Sequence, residues 1–160
     1  MIRSKITIAG LATALAITSI PAQAAISPFP AMAGTWSGGG VLRMADGEQE
    51  RLRCRASYGV AERGDELRLD LRCASASYNF DLAGDVQYRG GAISGEWTEA
   101  SRNASGTISG RAAGGHVEAA ARGQNFSASL SLTTRGKRQT VSIRPEGTDV
   151  RAVSLALDRY

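Results

Sequence analysis

From residue 34 onward, apolar and polar residues alternate with period two in one stretch after another, the spacing of strands that bury one face. Leu52 to Ser75 shows it most plainly. Leu52, Cys54, Ala56, Tyr58 and Val60 alternate on a first arm, and Leu67, Leu69, Leu71 and Cys73 on a second. Glu62-Arg63-Gly64-Asp65 lies between them and reads as a turn. Folding the arms about it opposes Val60 to Leu67, Tyr58 to Leu69, Ala56 to Leu71 and Cys54 to Cys73. Opposed residues place their Cβ atoms about 4.5–5.5 Å apart, and a disulfide takes the short end of that range. Pattern, turn and cysteines therefore predict one register, with Cys54 bridged to Cys73.

The same alternation predicts the remaining strands. Gly34 to Met44 places Trp36, Gly38, Gly40, Leu42 and Met44 on one face. Ala45-Asp46-Gly47 then closes a three-residue loop of the kind built from a type I turn and a bulge. Ser77 to Arg89 carries Tyr78, Phe80, Leu82, Val86 and Tyr88, with Gly84 marking a bend or bulge. Gly90-Gly91 turns into Ile93, Gly95 and Trp97, setting Tyr88 against Ile93. Glu99 to Ser105 reads as a polar loop. Gly114-Gly115 opposes Ala112 to Val117. Gly123-Gln124 is expected to oppose Ala121 to Phe126 and Val117 to Leu130. Val141 and Ile143, then Val153 to Leu157, complete the set. No stretch after residue 24 has helical period.

The prediction is an all-β fold: an antiparallel up-and-down meander of about 8–10 strands. Closure into a barrel would remove the exposed edges of so long a meander; an open β-sandwich is the alternative. The inward face mixes large residues (Trp36, Tyr58, Phe80, Tyr88, Trp97, Phe126) with many glycines and alanines. Two interiors fit that mixture, a packed taper or a cavity walled by small residues with aromatics at its ends. On the second reading those six aromatics contact a small apolar ligand.

The N-terminus changes the picture of where this domain works. Met1 to Lys5 is short and basic, Ile6 to Ile20 is apolar, and Pro21-Ala22-Gln23-Ala24 offers an Ala-x-Ala site. Residues 1–24 are read as a secretory signal peptide, a helix removed after Ala24. Residues 25–33, with Pro28 and Pro30, are read as an extended lead-in, and 34–160 as one barrel domain. A periplasmic or secreted location follows, and there the cysteines can pair. Without Arg3 and Lys5 the chain keeps 17 basic and 15 acidic residues, a net charge of +2. So small a charge gives no reason to expect nucleic acid as a partner, and no transmembrane span is expected after the leader.

Gly34-Thr35-Trp36 resembles the Gly-x-Trp that opens the first strand of lipocalins, of streptavidin and of bacterial metalloprotease-inhibitor barrels. The resemblance implies that Trp36 plugs one barrel end; Gly95-Glu96-Trp97 repeats the pattern. It carries over no ligand contacts. The whole chain also resembles small secreted β-barrel proteins of Gram-negative bacteria, which implies no activity.

Candidate chemistry is sparse. His116 is the single histidine, placed outward, and no Gly-x-Ser-x-Gly elbow occurs. Neither a catalytic set nor a metal or cofactor site is expected, and the protein reads as a non-enzyme. Two functions remain open. One is binding of a small apolar or amphiphilic envelope ligand inside the barrel. The other is an interaction or inhibitor module that uses loops or an outward arginine face. That face comprises Arg51, Arg53, Arg55, Arg68 and Arg72, with Arg55 opposed to Arg72, an unfavourable pair unless an anion or a nearby acid relieves it.

Overall fold

Ten strands, each joined to the next by a short connection, follow one another in the computed structural model, which describes residues 26–160. They are β1 (Gly34–Met44), β2 (Gln49–Val60), β3 (Glu66–Ala74), β4 (Asn79–Arg89), β5 (Ala92–Glu99), β6 (Ala104–Ala113), β7 (His116–Gly123), β8 (Ser127–Arg135), β9 (Arg138–Glu146) and β10 (Val150–Arg159). Each pairs antiparallel with its sequence neighbours, and β1 pairs with β10 to close a barrel. The sandwich alternative is thereby set aside. Residues 1–24, read as a signal peptide, lie outside the described residues. Among those described, no helix is long and apolar enough to cross a membrane.

The β2–β3 ladder has the predicted register, from Val60↔Leu67 to Cys54↔Cys73, and the two cysteines are joined. Gly90-Gly91 turns with φ of 54° and 93°. Both values are positive, as a two-residue turn matched to strand twist requires. Several inward glycines mark places where neighbouring strands approach closely. A Cβ at Gly38, Gly40, Gly95, Gly106 or Gly110 would collide with a backbone carbonyl of the neighbouring strand. Their absent side chains let strands approach closely where the sheet coils.

The lead-in departs from the extended reading. Phe29–Met32 forms a single helical turn, α1, with Pro28 at its N-cap. Prolines are tolerated there because the first-turn N–H groups have no helical partner. One turn brings Phe29 and Met32 onto the same side, and both are buried against the barrel end. The β7–β8 register also differs. Ala121 pairs with Ala128, and Val117 with Leu132. Gln124, Asn125 and Phe126 form the connection instead, closed by the Gly123 N–H donating to the Phe126 carbonyl at 2.8 Å. A shift by two leaves every side chain on its face, so alternation alone could not exclude it. Phe126 leaves the ladder and packs edge-on against Trp97, ring centroids 5.6 Å apart.

Candidate functional site

Barrel height divides the inward residues. At one end lie the β2–β3, β4–β5, β6–β7 and β8–β9 turns, and α1 packs there. Trp36 is fully buried, and its indole N–H donates to the Met32 carbonyl at 2.8 Å. Its ring meets Tyr58 edge-on, with the Arg159 guanidinium 4.5 Å from its centre. Phe29 meets Tyr88 in the same way. Beneath them the Tyr58 hydroxyl donates to Gln139 Oε1 at 2.7 Å, and Gln139 Nε2 donates to Thr134 Oγ1 at 3.0 Å. Burial raises the Tyr58 phenol well above its ordinary pKa, and the hydrogen bond to Gln139 offsets only part of that. This end is closed.

Toward the other end burial is uneven: Leu42, Leu52 and Val150 are buried, while part of the inner face keeps some exposure. Leu69, Leu71, Phe80, Ile108, Leu130 and Ile143 point inward but keep partial exposure. Leu71 has Ala56 and Leu82 hydrogen-bonded on either side, and Ile108 has Gly95 and Ala121. Strands are paired alike in both halves, so the added exposure comes from inside. An eight-stranded barrel leaves room for little beyond its own side chains; ten strands enclose more. These inward residues form a partly exposed apolar stripe on the inner face, packed against the buried core.

Polar groups gather on its lip. Glu99 ends β5 facing inward and is 8% exposed. It belongs to the strand rather than to the loop expected there, because its carboxylate caps a single 3₁₀ turn, Ala100–Arg102. The backbone N–H groups of Asp81, Ser101 and Arg102 donate to it, as does the Ser101 hydroxyl. Burial pushes its pKa up, but those hydrogen bonds outweigh it and hold the carboxyl below its ordinary value. Arg102 pairs with Glu99 at 3.5 Å and lies over the stacked rings of Phe80 and Tyr78, 4.9 and 5.7 Å from their centres. Its polar contacts among the described residues use Nη1, leaving Nε and Nη2 for another polar group. Trp97 lies along the wall. A Cβ on Gly123 would press within 3.2 Å of its ring, and its N–H donates to the Thr107 carbonyl.

The six aromatics thus form two groups. Trp36, Tyr58 and Tyr88 close the floor, while Phe80, Trp97 and Phe126 ring the mouth. Phe29, Gln139, Glu99 and Arg102 were not foreseen. Inward parity was a usable signal for Gln139 and Glu99, since a polar residue at an apolar position needs buried partners. The arginines divide too. Arg68 pairs with Asp85 at 3.1 Å and Arg72 with Asp81 at 3.3 Å, so β4 relieves the Arg55↔Arg72 opposition. Arg51, Arg53 and Arg55 have no such partner among the described residues. His116 is exposed on the outer face at the closed end, 2.9 Å from Thr133 Oγ1 and 2.8 Å from Glu118 Oε1.

No protein-family model and no curated protein matches the chain. Solved structures do share its shape. Rv2717c from M. tuberculosis superposes with a TM-score of 0.65 at 13% identity, over 84% of this chain and 94% of that one. The S-type phycobiliprotein lyase CPES from Guillardia theta superposes with a TM-score of 0.62 at 8% identity, over 82% of this chain and 90% of that one. Both likenesses concern the fold. The second corrects the reading of the chain as a non-enzyme. A lyase has a barrel of this shape, so a missing sequence motif does not exclude catalysis.

Proposed function

We propose that the protein binds a small apolar or amphiphilic molecule in the half of its barrel toward the mouth, with any polar end of that molecule at Arg102. The observation that carries this reading is the partial exposure of Leu71, Ile108, Leu130 and Ile143, inward residues that pack against the core yet are not fully covered by it. Water in contact with an apolar wall is displaced favourably by an apolar guest, at about 25 cal/mol per Å² covered. The guanidinium's free N–H groups suit a carboxylate, sulfonate or phosphate. On this reading Trp36 is the plug that the Gly-x-Trp resemblance implies. Residues 1–24 are the leader of a protein exported to the periplasm or beyond, and the ligand is an envelope component. The lyase among the structural neighbours adds a second possibility, chemistry on the bound molecule at the Glu99–Arg102 lip.

Titration with anilinonaphthalene sulfonate, an apolar dye with one anionic end, tests the proposal. The expected result is saturable binding at one dye per chain, abolished by Ile108→Glu and by the bulkier but apolar Ile108→Trp. Arg102→Ser should weaken this dye more than the uncharged Nile red. Undiminished binding by a folded Ile108→Trp protein would overturn the reading.

A further inference from the structure

Six arginines share the outer face formed by β9, β10, β1 and β2 and the strand ends toward the mouth: Arg43, Arg51, Arg53, Arg55, Arg144 and Arg151. All are exposed, and none makes a hydrogen bond or ion pair through its guanidinium among the described residues. Register explains the grouping. Arg55, Arg53 and Arg51 stand opposite Ser37, Gly39 and Val41 of β1, which in turn stand opposite Asp158, Ala156 and Ser154 of β10. Arg43 opposes Gln49 and Ala152. An irregularity between Arg43 and Met44 gives β10 an extra residue, and Arg151 is exposed there. Of the acids, Asp158 is committed to Arg138 at 3.3 Å and Glu50 to the hydroxyls of Ser75 and Ser77; Glu146 is exposed at the end of β9, and Asp46, Glu48 and Asp149 stand in the loops beyond the strand ends.

We infer that this face docks on an anionic lipid bilayer. Alternate residues of one strand lie about 6.8 Å apart, and four strands span about 14 Å. The cations are therefore spread over a surface rather than converging on a point, which suits many phosphates rather than one. Unpaired like charges along a strand repel one another, and an anionic surface removes that repulsion. The floor between them is built from small side chains, with Val41, 38% exposed, near its centre, so two surfaces can approach closely. An open groove of about 1070 Å³ beside it, lined by Val41, Arg51, Arg53, Ser75 and the carboxylate-bearing Glu50, admits a headgroup: Ser75 and Ser77 donate to Glu50, and arginine holds the phosphate bidentately. The whole chain carries only +4, so the attraction is local to this face.

Flotation of the disulfide-bonded protein with vesicles tests it. Binding is expected with phosphatidylcholine–phosphatidylglycerol vesicles, not with phosphatidylcholine alone, and should fall with added salt. An arginine near an anionic bilayer is worth about fivefold in partitioning, so Arg51→Ser, Arg53→Ser and Arg55→Ser together should weaken binding by about a hundredfold. Arg111→Ser, Arg122→Ser and Arg135→Ser make the same charge change on β6 to β8 and should alter it far less. Both variants change exposed residues, so their melting temperatures should match the parent's. Equal losses in the two variants, no vesicle binding, or capture of inorganic polyphosphate in preference to vesicles would overturn the inference. It stands apart from the lumen: Ile108→Trp should still float with the vesicles.

Discussion

At the closed end of the barrel Trp36, Tyr58, Leu67 and Tyr88 lie buried beneath α1, while at the mouth Phe80, Ile108, Leu130 and Ile143 remain partly exposed. The strands at both ends alternate in the same way. What differs is what fills the space between them. At the floor a helical turn, a tryptophan and the Tyr58–Gln139–Thr134 chain of hydrogen bonds occupy the lumen. At the mouth the aromatics lie along the wall or out on the lip, and a 3₁₀ turn fastened by Glu99 frames the opening. Burial is not a simple gradient, since Leu42 and Leu52, toward the mouth, are as buried as the floor.

Truncation at the floor should produce the largest effect. Trp36→Ala removes a fully buried side chain, and such changes cost about 3–5 kcal/mol. Thermal or urea unfolding should show that loss, whereas Ile108→Ala, at a site water already reaches, should cost only about 1–2 kcal/mol, below the usual range for a sealed core. Equal losses at the two sites would mean that the lumen is uniformly packed and would erase the contrast between the ends.

The disulfide comes next. Cys54 and Cys73 are 19 residues apart in sequence, and closing a loop of that size stabilises by about 3 kcal/mol, mainly by restricting the unfolded chain. Cys54→Ser with Cys73→Ser should lower stability by about that amount and leave dye binding in place, because the bridge joins strands already paired along their length. A matching drop on reduction of the parent protein would check it independently.

These expectations show where the chain could be read and where it could not. The β2–β3 hairpin was legible because alternation, turn and cysteines each constrain the same local register. The strand count and closure followed from short connections and the need to hide edges. The β7–β8 offset was not legible, since a shift of two residues preserves every face; in the structure Phe126 leaves the ladder and packs on Trp97. Parity likewise gives the face of a residue but not its height, so Trp36 and Trp97 looked equivalent and stand at opposite ends. α1 was hidden because two prolines suggest extended chain until the barrel end supplies a surface for Phe29 and Met32. The arginines could be placed outward from sequence, but their separation into paired and unpaired sets depended on Asp81 and Asp85 arriving from β4.

The smallest effect is the most specific to the mouth. Glu99 is ionised more readily in the folded protein than in the unfolded chain, because its four donors favour the carboxylate more than burial disfavours it. A depressed folded pKa means that its contribution is fully present above the unfolded value and is lost as pH falls through the folded one. The parent should therefore lose stability from about pH 4.5 downward, starting from the ordinary glutamate value. Glu99→Gln keeps the shape but weakens the acceptor, costing about 1 kcal/mol near neutral pH and flattening that acid limb. Gln139 at the floor carries no titrating group, and Gln139→Leu should lower stability by a pH-independent amount in the acid range. If Glu99→Gln instead left the acid limb unchanged, the carboxylate would not be what fastens the lip, and the mouth would owe its frame to the backbone turn alone.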